Sequence, residues 1–278
     1  MALNWLQSIL YGLLSGLTDI LPVSAQAHRI LLLKFFGIQD NMNAMDFLVH
    51  LAVFAALYFS SQTQLVRMSR ARALARIPKR KRKRPLDIRS LMDMSLVRTM
   101  LVPVVIGLFL YQYASGLKSN LMLLSVFLFL NGIVLYVPQF LPSGNRDSRT
   151  LSRVEGLLMG LGGAVSVVPG FSAIGVSTSI GSVCGVEKSY SLNMALLMNM
   201  ALTLGFLVYD VLGIVENGIG TLSFMIFIRY ILTALAAFGG CFLGIRIMRY
   251  LAAHHSFALF ALYCFGLALF TFILNLMA

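Results

Sequence analysis

The chain has 278 residues, of which 59% are hydrophobic and only 12% are charged. Its apolar runs reach the roughly 20 residues that a helix needs to cross a hydrocarbon core about 30 Å thick. A single soluble core would not account for so many runs of this length, so the composition indicates an all-α, polytopic membrane protein. The formal net charge of +12 is interpreted as a signal of membrane topology, and we expect no nucleic-acid partner. Cys184, Cys241 and Cys264 lie in or beside apolar runs without metal-ligand or paired spacing.

The first apolar run, from Leu3 to Phe36, contains residues that a simple spanning helix should not have. Acidic, polar and basic residues and a proline lie near its middle, at Asp19, Pro22, Ser24, Gln26, His28 and Arg29. Ionisable groups at membrane depth are costly and usually mark a functional cavity. Pro22 should kink or end the helix, and a broken helix must line a protein- or water-filled pocket. We therefore predict a re-entrant helix pair, with one long kinked spanning helix as the alternative.

The same design occurs a second time. The sequence GLLMGL at Gly156–Leu161 echoes GLLSGL at Gly12–Leu17, and each is followed by a proline and a small polar cluster, at 22–24 and at 169–172. Two interrupted hydrophobic segments in corresponding halves indicate a midplane binding site between inverted repeats. The alternative is chance similarity between Gly/Leu-rich membrane segments.

The hydrophobic pattern predicts two re-entrant pairs, at about Leu3–Phe36 and Val154–Val186, and six full spans. The spans lie at about Ala44–Ser60, Met94–Ala114, Leu121–Leu141, Ser191–Ile214, Leu222–Tyr250 and Ser256–Met277. We expect one membrane domain over 1–278, with repeats at about 3–141 and 154–277. Each repeat has one pair and three spans, and an odd number of crossings inverts the second repeat.

Basic residues predict the orientation. In this topology 18 of the 22 Lys and Arg residues fall on one face, including a basic loop at 61–93. The positive-inside rule makes that face cytoplasmic and puts both termini outside. The first pair then enters from outside and the second from the cytoplasm. The basic loop is also a candidate site for anionic lipids, at about 1 kcal/mol per basic residue. The N-terminus lacks the basic region of a cleavable signal peptide, so we expect none.

The two broken pairs have the chemistry of an anion site. A half-helix N-terminus presents free N–H groups and a positive dipole end, which suits phosphate. After Pro169 come small and hydroxyl residues that form the predicted phosphate-binding set, Gly170, Ser172, Gly175, Ser177 and Thr178. The first pair adds Arg29 to that set, together with His28, Ser24 and Asp19. The alternative is a packing role for the glycines and serines, which leaves the ionisable residues unexplained.

These residues resemble the motifs of the bacterial undecaprenyl-pyrophosphate phosphatase family, also called bacitracin-resistance proteins. The stretch from Gly16 to Ser24, closing on His28, is similar to the family's E-G-x-T-E-F-L-P-V-S-S-T-G-H, and Pro169–Gly175 is similar to its P-G-x-S-R-S-G. The resemblance covers essentially the whole chain. It implies removal of the terminal phosphate of a C55 isoprenoid diphosphate at the outer face of the bacterial cell membrane, which recycles the carrier lipid of peptidoglycan synthesis.

The sequence departs from the family pattern at several motif positions. The two motif glutamates correspond to Ser15 and Asp19, and a motif serine corresponds to Ala25. The threonine and glycine before the histidine are Gln26 and Ala27. The arginine of the second motif is Ala173, which cannot replace a bidentate cation at phosphate.

Catalysis by the remaining residues is predicted to rest on His28, Ser24 and Asp19. His28 would attack phosphorus or act as base for Ser24 or water. Asp19 would orient His28 or hold a divalent cation, Mg²⁺ or Ca²⁺, although one carboxylate alone makes a poor site. We also expect the two tips to meet, with His28 and Ser172 on opposite walls of one pocket.

Two functions stay open at this stage. The first is a divergent polyprenyl-diphosphate phosphatase with a degenerate site. The second is a non-hydrolytic polyprenyl-phosphate binder or translocase. The retained His28 and Ser24 favour the enzyme, whereas Ala25 and Ala173 favour the translocase. The oligomeric state is not predicted.

Overall fold

The computed structural model describes residues 3–38, 42–114, 116–117, 120–218, 223–254 and 257–277. Within these ranges the chain forms ten α-helices. They are α1 Trp5–Ile20, α2 Ala25–Phe35, α3 Asn43–Ala75, α4 Ile88–Ala114, α5 Leu121–Tyr136, α6 Arg153–Val165, α7 Ala173–Val183, α8 Lys188–Asn217, α9 Phe224–His254 and α10 Ala258–Met277. One-turn 3₁₀ helices follow at Lys79–Lys81 and Val137–Phe140. Six of the described helices, α3, α4, α5 with its 3₁₀ turn, α8, α9 and α10, are long and apolar enough to cross a membrane, which confirms the predicted all-α polytopic class.

The helices are longer than the predicted spans at the basic face. α3 continues to Ala75 and α4 begins at Ile88, so the loop predicted at 61–93 is reduced to 76–87. The prediction ended α3 where apolar residues give out, but a helix continues into water as long as its residues tolerate helical geometry. Met68 and Ala71 are buried on one side of this extension. The first residues of the predicted spans at 222 and 256 lie outside the described ranges.

The first apolar run consists of two separate helices, so a single kinked helix is excluded. Leu21 ends α1 in an extended conformation, φ −68° and ψ 150°, as expected for a residue that precedes proline. Ser24 then begins α2 with φ +63°, the one positive φ outside glycine among the described residues. Its side chain accepts a hydrogen bond from the Ala27 N–H and so caps α2.

The second interrupted run is built in the same way. α6 starts with a capping box between Ser152 and Glu155. After α6 ends, Gly170 adopts φ +113°, and Ser172 caps α7 by accepting a hydrogen bond from the Gly175 N–H. Each broken segment therefore has a serine at the start of its second helix.

The repeated glycine pattern has one packing role in both halves. A Cβ atom added at Gly16 of α1 would lie 2.0 Å from the Ala237 carbonyl oxygen of α9, and one added at Gly160 of α6 would lie 2.2 Å from the Met100 carbonyl oxygen of α4. Small residues let membrane helices approach this closely. The echo in the sequence therefore corresponds to two equivalent helix contacts.

Helix packing follows an exchange between the two halves. α1 packs on α9 and α6 packs on α4, while α3 packs on α8 and α5 packs on α10. Suppose that α1–α5 correspond in order to α6–α10. Exchanging the two halves then turns the α1–α9 contact into the α6–α4 contact, and it leaves the α3–α8 and α5–α10 contacts unchanged. The pattern supports the repeat boundaries 3–141 and 154–277 as a proposal.

Candidate functional site

The tips of the two broken segments are hydrogen-bonded to each other, which confirms that they meet. The Gly170 N–H donates to Ser24 Oγ at 3.1 Å, and Ser172 Oγ donates to the Leu21 carbonyl oxygen at 3.3 Å. Each capping serine thus also binds the other tip. Ser24 is fully buried, so its role in this structure is to join the tips.

Asn131 of α5 locks this junction. Its Nδ2 donates to the Pro22 carbonyl oxygen at 3.2 Å, and its Oδ1 accepts from the Ser172 N–H at 3.0 Å. Asn131 is fully buried. A buried amide with both ends bonded holds two chain segments in register, because either bond lost would leave an unpaired polar group.

The motif glycines bring the tips together and do not present N–H groups to a ligand. The Gly170 N–H is taken by Ser24, and the Gly175 N–H by Ser172 Oγ at 3.2 Å. A Cβ atom at Gly175 would lie 2.6 Å from Pro22 Cβ. These two N–H groups are therefore occupied within the protein in this conformation, and close approach of two backbones requires the glycines. The phosphate-binding role of Gly170 and Gly175 stays a prediction.

A small pocket, here called the inner pocket, opens beside the tip junction. Its polar lining includes Asp19, Gln26, Arg29, Ser172 and Asn199, and its volume of about 20 Å³ has room for a single water. The Asn199 Nδ2 donates to Asp19 Oδ2 at 2.9 Å, which orients the carboxylate.

Two helix N-termini face the inner pocket. Ala25 and Ala173, the first residues of α2 and α7, both line it. The positive ends of two helix dipoles therefore converge there, as an anion site requires. Ser177 and Thr178, further along α7, are fully buried and are not part of the lining.

A second cavity adjoins the inner pocket and shares Gln26 and Arg29 with it. Its volume is about 110 Å³, and its lining consists of Tyr11, Gln26, Arg29, Ile30, Leu33, Asp46, His50, Tyr111 and Asp210. Arg29 is thus the cation that both cavities share.

A chain of ionisable groups surrounds Arg29. Its Nη1 lies 3.0 Å from His50 Nε2 and 3.5 Å from Asp46 Oδ1. His50 Nδ1 in turn lies 2.5 Å from Asp210 Oδ2, and the Tyr11 hydroxyl donates to Asp46. These groups hold the guanidinium in a largely buried position, because the Arg29 side chain is only 12% exposed.

His28 lies apart from both cavities. Its Nδ1 is 2.8 Å from the Ser24 carbonyl oxygen, and its Nε2 is 2.7 Å from the Tyr263 hydroxyl, on whose ring it stacks. The expectation that His28 and Ser172 form opposite walls of one pocket is wrong. Adjacent residues on a helix point about 100° apart, and it is Arg29 that faces the pocket.

The donor set does not make a preformed metal site. Within the described residues, no group of three His, Cys, Asp or Glu side chains is arranged to hold an ion. Asp19 is the one carboxylate of the inner pocket, and Asp46 and Asp210 are engaged by other side chains. The role of Asp19 as a metal ligand stays a prediction, and no step of the chemistry below passes through a metal.

Several functional candidates escaped the sequence analysis. Asn131, Asn199, Asp46, His50 and Asp210 are isolated polar residues in apolar helices. Such residues inside membrane segments mark functional sites by default, so each was visible singly. Their convergence on Arg29 and the tips depends on tertiary packing.

Comparisons with known proteins agree on one family. The family model described as Bacitracin resistance protein BacA matches residues 8–270. A protein of Methanobrevibacter smithii called undecaprenyl-diphosphatase is 29% identical over 96% of each chain. One of Desulforapulum autotrophicum with the same name is 27% identical over 98% of this chain and 99% of its own length. With nearly its whole length matched by the family model, this multi-pass membrane protein belongs to the Bacitracin resistance protein BacA family.

Proposed function

We propose that the chain is a phosphatase that hydrolyses a polyprenyl diphosphate, of which undecaprenyl diphosphate is the substrate named in its relatives. The observation that supports this most directly is the inner pocket. Asp19 and Arg29 line the same pocket as Ala25 and Ala173, the first residues of α2 and α7. A base and a cation beside an anion-binding site are parts that phosphoryl transfer needs.

Arg29 takes the place of the family's missing arginine. Ala173 lines the inner pocket, so that motif position contributes no charge. Arg29 reaches the same pocket from α2, with a planar fork that binds two phosphate oxygens. The cation of the site has moved from the second broken segment to the first.

Water is the proposed nucleophile. The motif serine is Ala25 here, and Ser24 Oγ is committed to the tip junction. A water beside Asp19 attacks the terminal phosphorus, its proton passes to the carboxylate, and the bond to the bridging oxygen breaks. The products are inorganic phosphate and the polyprenyl monophosphate.

Gln26 is placed to hold that water. Its Nε2 donates to the Ser166 carbonyl oxygen at 3.1 Å, which fixes the orientation of the amide. Its buried Oε1 has no partner in the described protein. A buried acceptor of this kind calls for a donor such as an ordered water, and Gln26 shares the pocket with Asp19.

A catalytic role for His28 stays a proposal, and it requires the side chain to change position. The imidazole would have to leave Tyr263 and turn towards the inner pocket. Tyr263→Phe removes the hydroxyl that holds it. A His28 that attacks phosphorus predicts faster turnover in Tyr263→Phe and complete loss in His28→Ala, whereas a structural His28 predicts lowered stability in both.

The outer face is the proposed site of access. Tyr11, Asp46 and Asp210 of the second cavity lie towards the ends of α1, α3 and α8 that are remote from the basic loop 76–87. The positive-inside rule puts the basic loop in the cytoplasm. The diphosphate would then enter from outside, as carrier-lipid recycling in cell-wall synthesis requires.

Phosphate release from undecaprenyl diphosphate by the purified protein tests the function. The wild type should release phosphate, and Asp19→Asn should lower the rate by about 10²-fold or more because the base is lost. His254→Gln, at the end of α9, serves as a control variant. No release by the wild type with or without added Mg²⁺ or Ca²⁺ would refute the phosphatase.

A non-hydrolytic lipid-phosphate binder or translocase is the second candidate. Ala25 and Ala173 line the inner pocket where the family pattern has a serine and an arginine, which favours this function. It predicts that undecaprenyl phosphate binds tightly while no phosphate is released.

A further inference from the structure

The buried pair formed by His50 and Asp210 lies outside the predicted chemistry. Both are enclosed, with side chains 4% and 11% exposed. His50 belongs to α3 and Asp210 to α8, the pair of counterpart helices that pack on each other. A histidine–carboxylate pair at 2.5 Å beside the phosphate-binding cation calls for an explanation.

Hydrogen bonding determines the protonation state of His50 in this structure. A guanidinium is always charged and has only donors, so His50 Nε2, 3.0 Å from Arg29 Nη1, must be the acceptor. Nδ1 then carries the hydrogen and donates to Asp210. His50 is therefore a neutral imidazole, because a second proton at Nε2 would face the N–H of a cation.

Arg29 has two places to bind. It lines the second cavity, where His50 and Asp46 hold it, and it also lines the inner pocket with Asp19 and Ser172. A phosphate can enter the inner pocket, now about 20 Å³ in volume, only as its lining moves apart, and it then competes with His50 and Asp46 for the same guanidinium. When Arg29 turns to the phosphate, the lone pair of His50 Nε2 loses its donor.

We propose that His50 is a positioning residue that holds Arg29 in the empty site, and that His50 takes up a proton when Arg29 binds phosphate. The groups around His50 are Arg29 from α2, Asp210 from α8, Tyr11 from α1, Tyr111 from α4 and Asp46 on α3 itself. Three carboxylates, Asp19, Asp46 and Asp210, surround the two cavities. Once Arg29 withdraws, the imidazolium replaces its positive charge beside Asp210.

The sign of the pH effect follows from linkage. A proton taken up on binding makes phosphate affinity fall as pH rises. One full proton taken up changes the affinity by about tenfold per pH unit.

The proposal rests on Arg29 as the phosphate ligand, and binding tests it without hydrolysis. Titration calorimetry with undecaprenyl monophosphate at pH 7.5, in two buffers of different ionisation enthalpy, gives the number of protons taken up. Titration of the lipid phosphate itself is common to all variants and cancels in the difference. The wild type should take up more protons than His50→Gln, by up to one per lipid bound.

His50→Gln is the decisive variant because glutamine accepts from Arg29 and donates to Asp210 but does not titrate. It should bind the lipid with an affinity that no longer falls with pH beyond the ligand's own titration. His254→Gln makes the same change at the end of α9 and should retain wild-type uptake. Asp210→Asn should take up fewer protons per lipid bound than the wild type, because the imidazolium loses its counter-charge.

Equal proton uptake by the wild type and a folded, lipid-binding His50→Gln would overturn the proposal. If His50→Gln fails to fold, a wild-type affinity that does not fall from pH 6 to 8 beyond the ligand's own titration would overturn it as well. A protein that binds with the expected uptake but releases no phosphate would refute the phosphatase and leave this coupling intact.

Discussion

Gln26 shows at the residue scale how one substitution in a family motif acquires meaning from its neighbours. We expect Gln26→Met, which keeps the length of the side chain, to lower kcat by about 10²-fold with little change in KM, because the acceptor that positions water is lost. Phosphate release over a substrate series measures both constants. The control variant Gln139→Met makes the same substitution on the exposed 3₁₀ turn. Its kcat and KM should equal those of the wild type.

The lost bond to Ser166 has its own cost, about 1 kcal/mol of stability. Thermal unfolding should therefore be followed alongside the rate. A Gln26→Met protein with unchanged kcat would exclude the water-positioning role.

Arg29 provides the second prediction at this scale. Arg29→Met should lower kcat/KM by at least about 10²-fold, since a positively charged donor at the transferring phosphoryl group is removed. Arg29→Lys should recover only part of the rate because an ammonium cannot bind two oxygens in a fork. Steady-state phosphate release measures both.

Moving the cation is a sharper form of the same test. The double variant Arg29→Met with Ala173→Arg puts arginine where the family pattern has it. Its kcat/KM should exceed that of Arg29→Met alone. Were Arg29→Met as active as the wild type, the cation of this site would have to be sought elsewhere.

The residue scale is also where prediction from sequence was weakest. The sequence marks both His28 and Arg29 as candidates, and on one helix these neighbours point about 100° apart. Which of them faces the pocket depends on how α2 packs against α5 and α10, more than 90 residues away in the chain. Asn131 and Asn199 were unassigned for the same reason: a polar residue is visible locally, but its partner is not.

At the element scale, the most consequential feature is the contact between Pro22 and Gly175. We expect Gly175→Ala to destabilise the protein by about 1–3 kcal/mol, because the new methyl group would overlap Pro22 Cβ and Leu135 Cδ2. The apparent Tm in detergent should fall by several degrees, and phosphate release should fall with it. Both follow from separation of the tips.

Gly239→Ala is the matched control on α9, where no atom lies within 4 Å of an added Cβ. There the substitution should be neutral or stabilising by up to about 1 kcal/mol, since alanine is the better helix former. Equal Tm values for the two variants would show that the tips tolerate separation.

Element boundaries were predictable where local chemistry dominates. Proline at 22 and 169 and the serines that follow them predicted both breaks, and the structure confirms them with serine caps at Ser24 and Ser172. The end of α3 was not predictable from hydrophobicity, because the helix continues for 15 residues beyond Ser60 as a partly exposed segment rich in polar residues.

At the scale of the whole molecule, the basic residues predict which face is cytoplasmic. We expect a cysteine at Lys83, in the exposed loop 76–87, to react with an impermeant thiol reagent only after the cells are permeabilised. A cysteine at Gly116, between α4 and α5, should react in intact cells. The variants are made in a Cys184→Ser background, since Cys241 and Cys264 are buried.

The reverse pattern, Lys83→Cys labelled and Gly116→Cys protected in intact cells, would invert the topology. It would also place the second cavity at the cytoplasmic face and so contradict outward access of the substrate. The fold itself would be unaffected, because the helix contacts do not depend on orientation.

The contact of α1 with α9 has a consequence for how the chain is made. More than 200 residues separate Gly16 of α1 from Ala237 of α9, whose backbones pack against each other. During synthesis α1 therefore leaves the ribosome long before α9, the helix it packs against, has been made. The glycine face of α1 stays exposed to lipid until α9 inserts. Contacts so distant in sequence form late. The tip junction, which needs residue 170, can form earlier. Assembly thus proceeds from the centre of the molecule outwards. In a chain truncated before α9, the glycine face of α1 would stay uncovered and would be accessible to quality-control proteases.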